Sequence, residues 1–193
     1  MKIGVLSVQG AVSEHLRHLE RCNVEAVAVK HKESLDSVSG LILPGGESTT
    51  IGKLIEVFSL ADSIRERNRK GNLAIFGTCA GMVLLAKDIL DGAVNQPTLG
   101  LMDIKVKRNA FGRQRESFET DLQFNSLDTP LKAVFIRAPI IKEAADSVEI
   151  LADMPEGIVA ARQGNLLTTS FHPELTDDLR VHEYFIRICK NIS

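Results

Sequence analysis

The chain has few of the residues that would link it to disulfides, membranes or nucleic acids. Only three of its 193 residues are cysteines, and they are widely spaced without a C-x-x-C pair. That spacing excludes a disulfide framework and a zinc site, and it predicts reduced thiols and no bound metal.

The chain has no tryptophan and a net charge of −2, so nothing indicates a nucleic-acid partner. No apolar run approaches the roughly 20 residues of a membrane span, and the N-terminal run is too short for a signal peptide. We therefore expect a cytoplasmic protein with no membrane partner.

The remaining composition is that of an ordinary globular protein. Hydrophobic residues make up 44% of the chain and charged residues 25%. A chain of this length can bury a substantial core. It shows no repeat, low-complexity tract or linker, and we predict one domain over residues 1–193.

In the first half of the chain, short apolar runs alternate with helical patterns. The predicted strands are 2–8, 24–29, 40–46 and 73–78. An amphipathic helix is predicted over 12–22, with Leu16 and Leu19 facing inward, and charged helical patterns cover 50–70. Continuous apolar strands separated by helices are typical of a parallel sheet covered on both faces.

The second half is mostly strand-like, and glycine, proline or other turn residues separate the runs. The predicted strands are 103–109, 117–124, 133–139, 147–152, 157–163 and 165–171. A last helix is predicted over 178–190, with Val181, Phe185 and Ile188 on one stripe. The predicted fold class is α/β: a single-domain, flavodoxin-like three-layer sandwich. Its central sheet is mainly parallel, with antiparallel additions and a small subsheet from the second half.

One cysteine lies at the turn between a predicted strand and a predicted helix, in the sequence GTCAG (77–81). Small neighbours permit the sharp turn that presents a nucleophile in G-x-S-x-G hydrolases. A helix that begins at Ala80 directs its amides towards the sulfur, which favours the reactive thiolate. We therefore interpret Cys79 as a nucleophile. Cys22 and Cys189 lie at helix ends without glycine turns, and for them we keep a structural role.

A cysteine nucleophile needs a base, and the base needs a residue that orients it. His172 closes an apolar run and is followed by Pro173 and Glu174. In an extended segment, residues two apart share a side, so Glu174 can orient the imidazole towards Cys79. The other four histidines lie among charged or polar residues and are interpreted as solvent-exposed: His15, His18, His31 and His182.

A glycine-rich loop, PGGESTT (44–50), follows the third predicted strand. Its amides can stabilise an oxyanion, and Glu47 and Ser48 can bind the charged head group of an amino acid. A phosphate loop is rejected because Gly-Lys-Ser/Thr is absent; the run also resembles a helix N-cap. Ligands of open α/β sheets bind beyond the carboxyl ends of the strands. We expect this loop, QGAV (9–12), GTCAG and SFHPE (170–174) to meet there.

These motifs together resemble the class I (triad) glutamine amidotransferases. Within that class, the chain resembles the family of glutaminase subunits of pyridoxal 5′-phosphate synthase. The segments that carry this narrower resemblance are GVLSVQGAVSEH, LILPGGESTT, FGTCAGM, RNAFGRQRESF, FIRAP and SFHPELT. They occur in order and span the whole chain.

The resemblance implies a function, a mechanism and a set of site residues. Glutamine is hydrolysed to glutamate and ammonia through a γ-glutamyl thioester on Cys79. His172 transfers the proton and Glu174 orients His172. The implied oxyanion hole consists of amides at Gly46 and Ala80, completed by reorientation of the Gln9–Gly10 peptide. The implied glutamine-binding residues are Gly46, Glu47, Ser48, Arg108, Ile136 and Arg137.

Arg108 and three further arginines can be interpreted from the residues around them. The planar guanidinium of Arg108 is suited to binding a carboxylate. Arg137 lies in the apolar run VFIRAP, where a buried charge would need a partner, so a structural ion pair is its alternative role. Arg113 and Arg115 are interpreted as surface or subunit-contact residues.

The resemblance also implies a partner and no cofactor for the glutaminase itself. The partner is a synthase subunit with a (β/α)₈ barrel. It receives ammonia through an internal channel and builds pyridoxal phosphate from ribose 5-phosphate and glyceraldehyde 3-phosphate. Glutaminase activity in the family depends on docking to it. The alternatives are a triad glutaminase of a different amidotransferase, a cysteine hydrolase of similar fold, and a non-catalytic binding subunit.

Overall fold

Strands and helices alternate along the first half of the chain, and strands dominate the second half. The computed structural model describes residues 1–91, 96–111 and 117–192. Its twelve strands within these residues are β1 (Lys2–Leu6), β2 (Glu25–Val29), β3 (Gly40–Leu43), β4 (Ala74–Thr78), β5 (Ala86–Ile89), β6 (Met102–Lys107), β7 (Ser117–Leu122), β8 (Leu131–Ile136), β9 (Ile140–Ala144), β10 (Glu149–Met154), β11 (Gly157–Gln163) and β12 (Leu166–Thr169). The α-helices there are α1 (Val12–Arg21), α2 (Lys32–Asp36), α3 (Ser48–Val57), α4 (Ala61–Arg69), α5 (Ala80–Leu85) and α6 (Arg180–Lys190). A 3₁₀ turn covers Pro173–Leu175.

Ten of the strands form one sheet. Its order is β2-β1-β3-β4-β12-β11-β9-β6-β5, and β10 pairs with β11 off this path. The first five strands are parallel to their neighbours, and their order is that of flavodoxin-like sheets. The order reverses between β1 and β3, so the crevice beyond the carboxyl ends of these two strands is where a ligand is expected.

The two faces of the sheet carry separate hydrophobic cores. One core packs α2, α3, α4 and α5 against residues such as Leu41, Leu43 and Ile75. The other packs α1 and α6 against residues such as Ile42 and Phe76. Helices on both faces of a mainly parallel sheet confirm the predicted three-layer α/β architecture. Burial of Val181, Phe185 and Ile188 also confirms the predicted inward stripe of α6.

The second half adds antiparallel strands, as predicted. Strands β11, β9 and β6 continue the sheet with antiparallel pairings, and β7 and β8 form a separate two-stranded sheet. Strands β5 and β9 were not predicted. β5 follows α5 without a turn residue, because the backbone becomes extended at Ala86 (ψ 141°). Among the described residues, no helix is both long and apolar enough to cross a membrane.

Candidate active site

Four loops meet at the carboxyl edge of the parallel strands, as the sequence predicted. They follow β1, β3, β4 and β12, and they open on a cavity of about 550 Å³. The residues that line it are Gly10, Ala11, Gly45, Gly46, Glu47, Ser48, Cys79, Ala80, Val83, Arg108, Asn109, Ile136, Arg137, Pro139, His172 and Leu175. The cavity therefore contains every candidate site residue from the sequence except Glu174, which lies behind His172.

Cys79 occupies a strained turn between β4 and α5. Its φ is +49° with ψ −101°, a region that non-glycine residues rarely adopt. The Cys79 N–H donates to the Thr169 carbonyl at 2.8 Å, and the thiol donates to the Ile136 carbonyl at 3.8 Å. A side chain at Gly81 would overlap the Leu43 carbonyl oxygen, so the glycine lets α5 begin directly against β3. The turn thus places a largely buried sulfur at the N-terminus of a helix, where amides and the dipole favour an anion.

His172 and Glu174 follow β12 and lie opposite this turn. The His172 N–H donates to the Val134 carbonyl at 2.8 Å, which attaches the residue to β8. Its Nδ1 lies 2.7 Å from Oε1 of Glu174. The expected extended H-P-E segment was wrong, because Pro173 starts a 3₁₀ turn and His172 caps it. The two side chains meet nevertheless, since the turn brings Glu174 back beneath the imidazole.

The charge of His172 is set by its two neighbours. Burial alone lowers the pKa of His172, but interactions with Cys79 and Glu174 outweigh it and raise the pKa to about 10. At neutral pH the ring is therefore an imidazolium, with N–H groups on both nitrogens. Gly45 makes room for this ring, because a side chain there would overlap Cε1 of His172.

Three histidines interpreted as solvent-exposed are buried, and that interpretation was wrong. His15 and His18 of α1 and His182 of α6 face each other between the two helices. His18 bonds the carbonyls of Glu14 and Thr176. Helical spacing explains the error: positions 12, 15, 16 and 19 form one inward stripe, and the charged residues lie between them. Of the four, only His31 is exposed.

The glycine-rich loop leads directly into α3, and Glu47 caps that helix. Its carboxylate accepts from the amides of Thr49 at 3.0 Å and Thr50 at 2.7 Å. Partial burial opposes ionisation of Glu47, but these hydrogen bonds outweigh it and lower its pKa to about 2. The Glu47 N–H donates to the side-chain oxygen of Gln9 at 3.0 Å. The capping role confirms the resemblance of this run to a helix N-cap.

The backbone at the candidate oxyanion hole is held by the first loop. Gly10 adopts a φ of +109°, and the Ala11 N–H donates to the Gly45 carbonyl at 3.2 Å. Ala80 is the first residue of α5, so its N–H has no acceptor within the helix, and the residue lines the cavity. These amides border the same cavity as Cys79.

Gln96 connects two candidate glutamine-binding residues and was not predicted from sequence. Its Nε2 donates to the Ser48 hydroxyl at 3.0 Å, and its Oε1 accepts from Nη1 of Arg108 at 2.7 Å. Nη2 of Arg108 lies 3.9 Å from Oε1 of Glu47. No pattern in the sequence marks Gln96, because the contact joins segments far apart in the chain.

Arg137 is exposed, which corrects the expectation that its charge is buried in an apolar run. It adopts a φ of +45° just after β8, so the strand ends at Ile136 and the chain turns outward over the cavity. Arg113 and Arg115 lie outside the described residues.

Cys189 is buried in the core, as its structural role predicts, and Cys22 is half-buried. The described residues contain no cluster of His, Cys, Asp and Glu that could hold a metal ion.

Comparison with known proteins identifies relatives along the full length of the chain. The model of the SNO glutamine amidotransferase family matches residues 5–191. Pyridoxal 5′-phosphate synthase subunit PdxT of Carboxydothermus hydrogenoformans is 55% identical over 194 residues, covering 100% of both chains.

Solved structures extend the similarity to the fold. A glutamine amidotransferase crystal structure superposes with a TM-score of 0.93 at 48% identity, covering 97% of this chain and 98% of the other. A putative GMP synthase component from Thermoplasma acidophilum reaches a TM-score of 0.70 at 20% identity, covering 99% of this chain and 94% of the other. The second similarity shows the shared fold alone.

Proposed function

The chain belongs to the SNO glutamine amidotransferase family, and we propose that Cys79, His172 and Glu174 carry out its hydrolysis of L-glutamine. The glutaminase reaction yields L-glutamate and ammonia. One observation carries the assignment of residues: His172 lies in the same cavity as Cys79, with its Nδ1 2.7 Å from the Glu174 carboxylate. Nucleophile, proton carrier and orienting group are the three parts that such a triad needs.

The proposed reaction has two steps. The thiol proton of Cys79 passes to His172, and the resulting thiolate, paired with the imidazolium, attacks the side-chain amide carbon of glutamine and forms a C–S bond. The C–N bond then breaks as the His172 imidazolium gives its proton to the departing ammonia. A water molecule, deprotonated by His172, attacks the γ-glutamyl thioester and releases glutamate and the thiol. Glu174 holds Nδ1 of His172 in both steps and is paired with the ring whenever it is an imidazolium.

Backbone amides are proposed to stabilise the oxyanion of each tetrahedral intermediate. The Ala80 N–H follows the nucleophile at a helix N-terminus, as in other elbow enzymes. Gly46 supplies the facing amide from the glycine-rich loop, and the Gln9–Gly10 peptide completes the hole after reorienting. Gly10 supports such a movement, because its φ of +109° is open to glycine without strain.

The rim of the cavity is proposed to bind the α-amino and α-carboxyl groups of glutamine. Anionic Glu47 suits the ammonium group, and the Arg108 guanidinium suits the carboxylate. The Ser48 hydroxyl, the Gly46 backbone and the Ile136–Arg137 turn complete the set of contacts. Nη2 of Arg108 lies 3.9 Å from Oε1 of Glu47, so the two opposite charges are adjacent, as the α-amino and α-carboxyl groups of a free amino acid are.

The chain acts as the glutaminase subunit of a pyridoxal 5′-phosphate synthase, as in its relatives. Ammonia released into neutral water is protonated and lost as a nucleophile, so it must pass directly to the synthase subunit. We propose a (β/α)₈ barrel for that subunit, with ribose 5-phosphate and glyceraldehyde 3-phosphate as its substrates. The three cysteines are thiols rather than disulfides, which suits a reducing compartment, and the proposed location is the cytoplasm.

Glutamate release from glutamine tests the proposal with the purified chain, alone and mixed with a pyridoxal 5′-phosphate synthase subunit. We expect strong stimulation by that partner. Cys79→Ala should reduce turnover at least about a thousandfold. Cys79→Ser is the matched variant: it keeps the turn and the folded state, and it loses the thiolate. Turnover by Cys79→Ala at the wild-type rate would contradict the assigned nucleophile. Full activity without stimulation would instead indicate a different synthase.

A further inference from the structure

The carboxylate of Glu174 has one oxygen that the proposed triad does not use. Oε1 pairs with His172, whereas Oε2 is buried and has no hydrogen bond within the described parts of the chain. Nε2 of His15 lies 3.5 Å from this oxygen. A buried carboxylate oxygen without any donor is costly, so the surroundings of His15 decide how Glu174 is held.

His15 is fully buried and is faced by polar groups from four elements. On its own helix is His18, and from α6 comes His182, whose Nε2 lies 3.0 Å from Nδ1 of His15. From β4 comes the Thr78 hydroxyl, 3.2 Å from Nε2 of His15. His172 and Glu174 face it from the segment after β12.

Both rings of the His15–His182 pair are neutral. Burial lowers the pKa of His15 well below its ordinary value, and the other histidines lower it further. Burial likewise lowers the pKa of His182 to about 3, with a contribution from His18. A neutral imidazole carries a single N–H, so the two rings have one proton each to place.

The contacts select one arrangement of these two protons. Nδ1 of His182 is buried without a hydrogen-bond partner among the described residues. If the His182 proton were on Nδ1, a buried donor would be unpaired, and the lone pair of His15 Nε2 would face a carboxylate. With the proton on Nε2, His182 donates to Nδ1 of His15, and His15 must carry its own proton on Nε2. That N–H faces the Thr78 hydroxyl, 3.2 Å from Nε2, and Oε2 of Glu174 lies 3.5 Å from the same nitrogen.

We propose that His15 is a positioning residue: its Nε2–H fixes the free oxygen of Glu174 and thereby the orientation of His172. The inference rests on the proposed function of the triad, and it adds to the triad a residue of α1, the helix that contacts the Pro173–Leu175 turn. At 3.5 Å the contact is longer than a normal hydrogen bond. In a dry interior an N–H beside a carboxylate oxygen still attracts it, because the local dielectric is low. The hydrogen bond between Oε1 of Glu174 and Nδ1 of His172 is one of the interactions that raise the pKa of His172, so a fixed carboxylate helps to maintain it.

Two amide substitutions at His15 separate this role from simple packing. The Gln side-chain amide reaches the position of Nε2, so His15→Gln keeps a donor near Glu174. The Asn amide reaches only the position of Nδ1, so His15→Asn keeps the contact with His182 and loses the donor to Glu174. Leu19→Ala is the control for a general loss of stability. It removes an apolar core side chain from the same helix and changes no polar contact of His15.

The primary measurement is the pKa of His172, followed by NMR in the full chain with labelled histidine. We expect His15→Asn to lower it by about one pH unit and His15→Gln to lower it by much less. With the synthase partner present, His15→Asn should lower kcat about tenfold and leave KM within twofold. Leu19→Ala should leave the His172 pKa unchanged. Equal effects of Asn and Gln, or no effect of either, would overturn the proposal.

A measurement on the unmodified protein tests the proposal even if the His15 variants do not fold. Long-range proton–nitrogen NMR spectra report which ring nitrogen of His15 carries the proton. A proton on Nε2 supports the proposal, and a proton on Nδ1 overturns it. Failure of the proposed function is a separate result: a wild-type chain that releases no glutamate with its partner would refute the triad's role, while the His172 pKa would still test His15.

Discussion

Lowering the pH from about 7.5 to about 4.5 should destabilise the protein through His15 and His182. Both are fully buried, and burial lowers the pKa of each far below its ordinary value, for His182 to about 3. The unfolded chain binds a proton at each of them near pH 6.5, whereas the folded chain does not. Stability is therefore complete above pH 6.5 and is lost progressively as the pH falls towards 3.

The size of the effect follows from proton linkage. Between about pH 7.5 and 4.5, a histidine that stays neutral in the folded chain costs about 3 kcal/mol of unfolding free energy, so the pair together costs several kcal/mol. A domain has only about 5–15 kcal/mol in total. His172, with a pKa of about 10, is protonated in the folded chain, but the unfolded chain loses this proton above about pH 6.5. Between about pH 7.5 and 6.5 its contribution therefore runs the other way and adds about 1 kcal/mol as the pH falls, and below pH 6.5 it adds no slope. Glu47, with a pKa of about 2, begins to lose its contribution only below its ordinary value of 4.5.

Urea unfolding followed by circular dichroism at four pH values measures the slope. His182→Gln removes one titrating ring and should halve the decrease in unfolding free energy between about pH 6.5 and 4.5. His31→Gln changes an exposed histidine outside the cluster and should keep the wild-type decrease. A wild type equally stable at both pH values would refute the buried neutral state of the pair. So would a decrease that His182→Gln leaves intact.

Two further substitutions test close contacts around the site. Gly81→Ala should destabilise the protein by about 1–3 kcal/mol in thermal unfolding, because the new methyl group overlaps the Leu43 carbonyl; a stability equal to the wild type would contradict that overlap. Gln96→Ala removes the link between Ser48 and Arg108 and should raise KM for glutamine about tenfold with a smaller change in kcat. An unchanged KM would show that the two residues hold their positions without it.

Local sequence information was sufficient for the strand-to-helix turn and for the sheet. Apolar runs such as 40–46 and 73–78 predict buried strands from composition alone. Gly81 and its neighbours predict a tight turn at Cys79 because few other residues fit one. The sequence does not show that this turn is strained. The strain becomes evident only from the backbone of the structure, in which Cys79 has a positive φ.

The buried histidines show where a sequence interpretation based on neighbours fails. His15 stands next to Glu14 in the chain, and that proximity suggested solvent exposure. On a helix, sequence neighbours point in directions about 100° apart, so His15 shares its face of the helix with Val12 and Leu19 and not with Glu14. Helical periodicity therefore could have predicted the burial of His15. It could not have predicted the partner, since His182 is 167 residues away.

Two other features depend on long-range contacts that no local pattern encodes. Strand β5 continues directly from α5, and what favours an extended backbone there is the pairing of Ala86 with Met102 of β6. Arg137 lies in a run that is apolar on both sides, yet the chain turns at this residue and exposes it. Hydrophobic neighbours predict burial only while the strand continues, and β8 ends one residue earlier.

His15 combines an acid-sensitive contribution to stability with a contact to Glu174, and one pair of substitutions separates the two. Neither Gln nor Asn titrates, so both variants should halve the acid-dependent loss of stability as His182→Gln does. Only the Gln amide reaches towards Oε2 of Glu174, so the pKa of His172 should fall in the Asn variant and remain high in the Gln variant. If the His172 pKa instead followed stability in both variants, packing of α1 would be the cause and the directed N–H would be refuted. If the Asn and Gln variants lose stability with pH to the same extent but differ in the pKa of His172, a hydrogen donor is required at the position of Nε2.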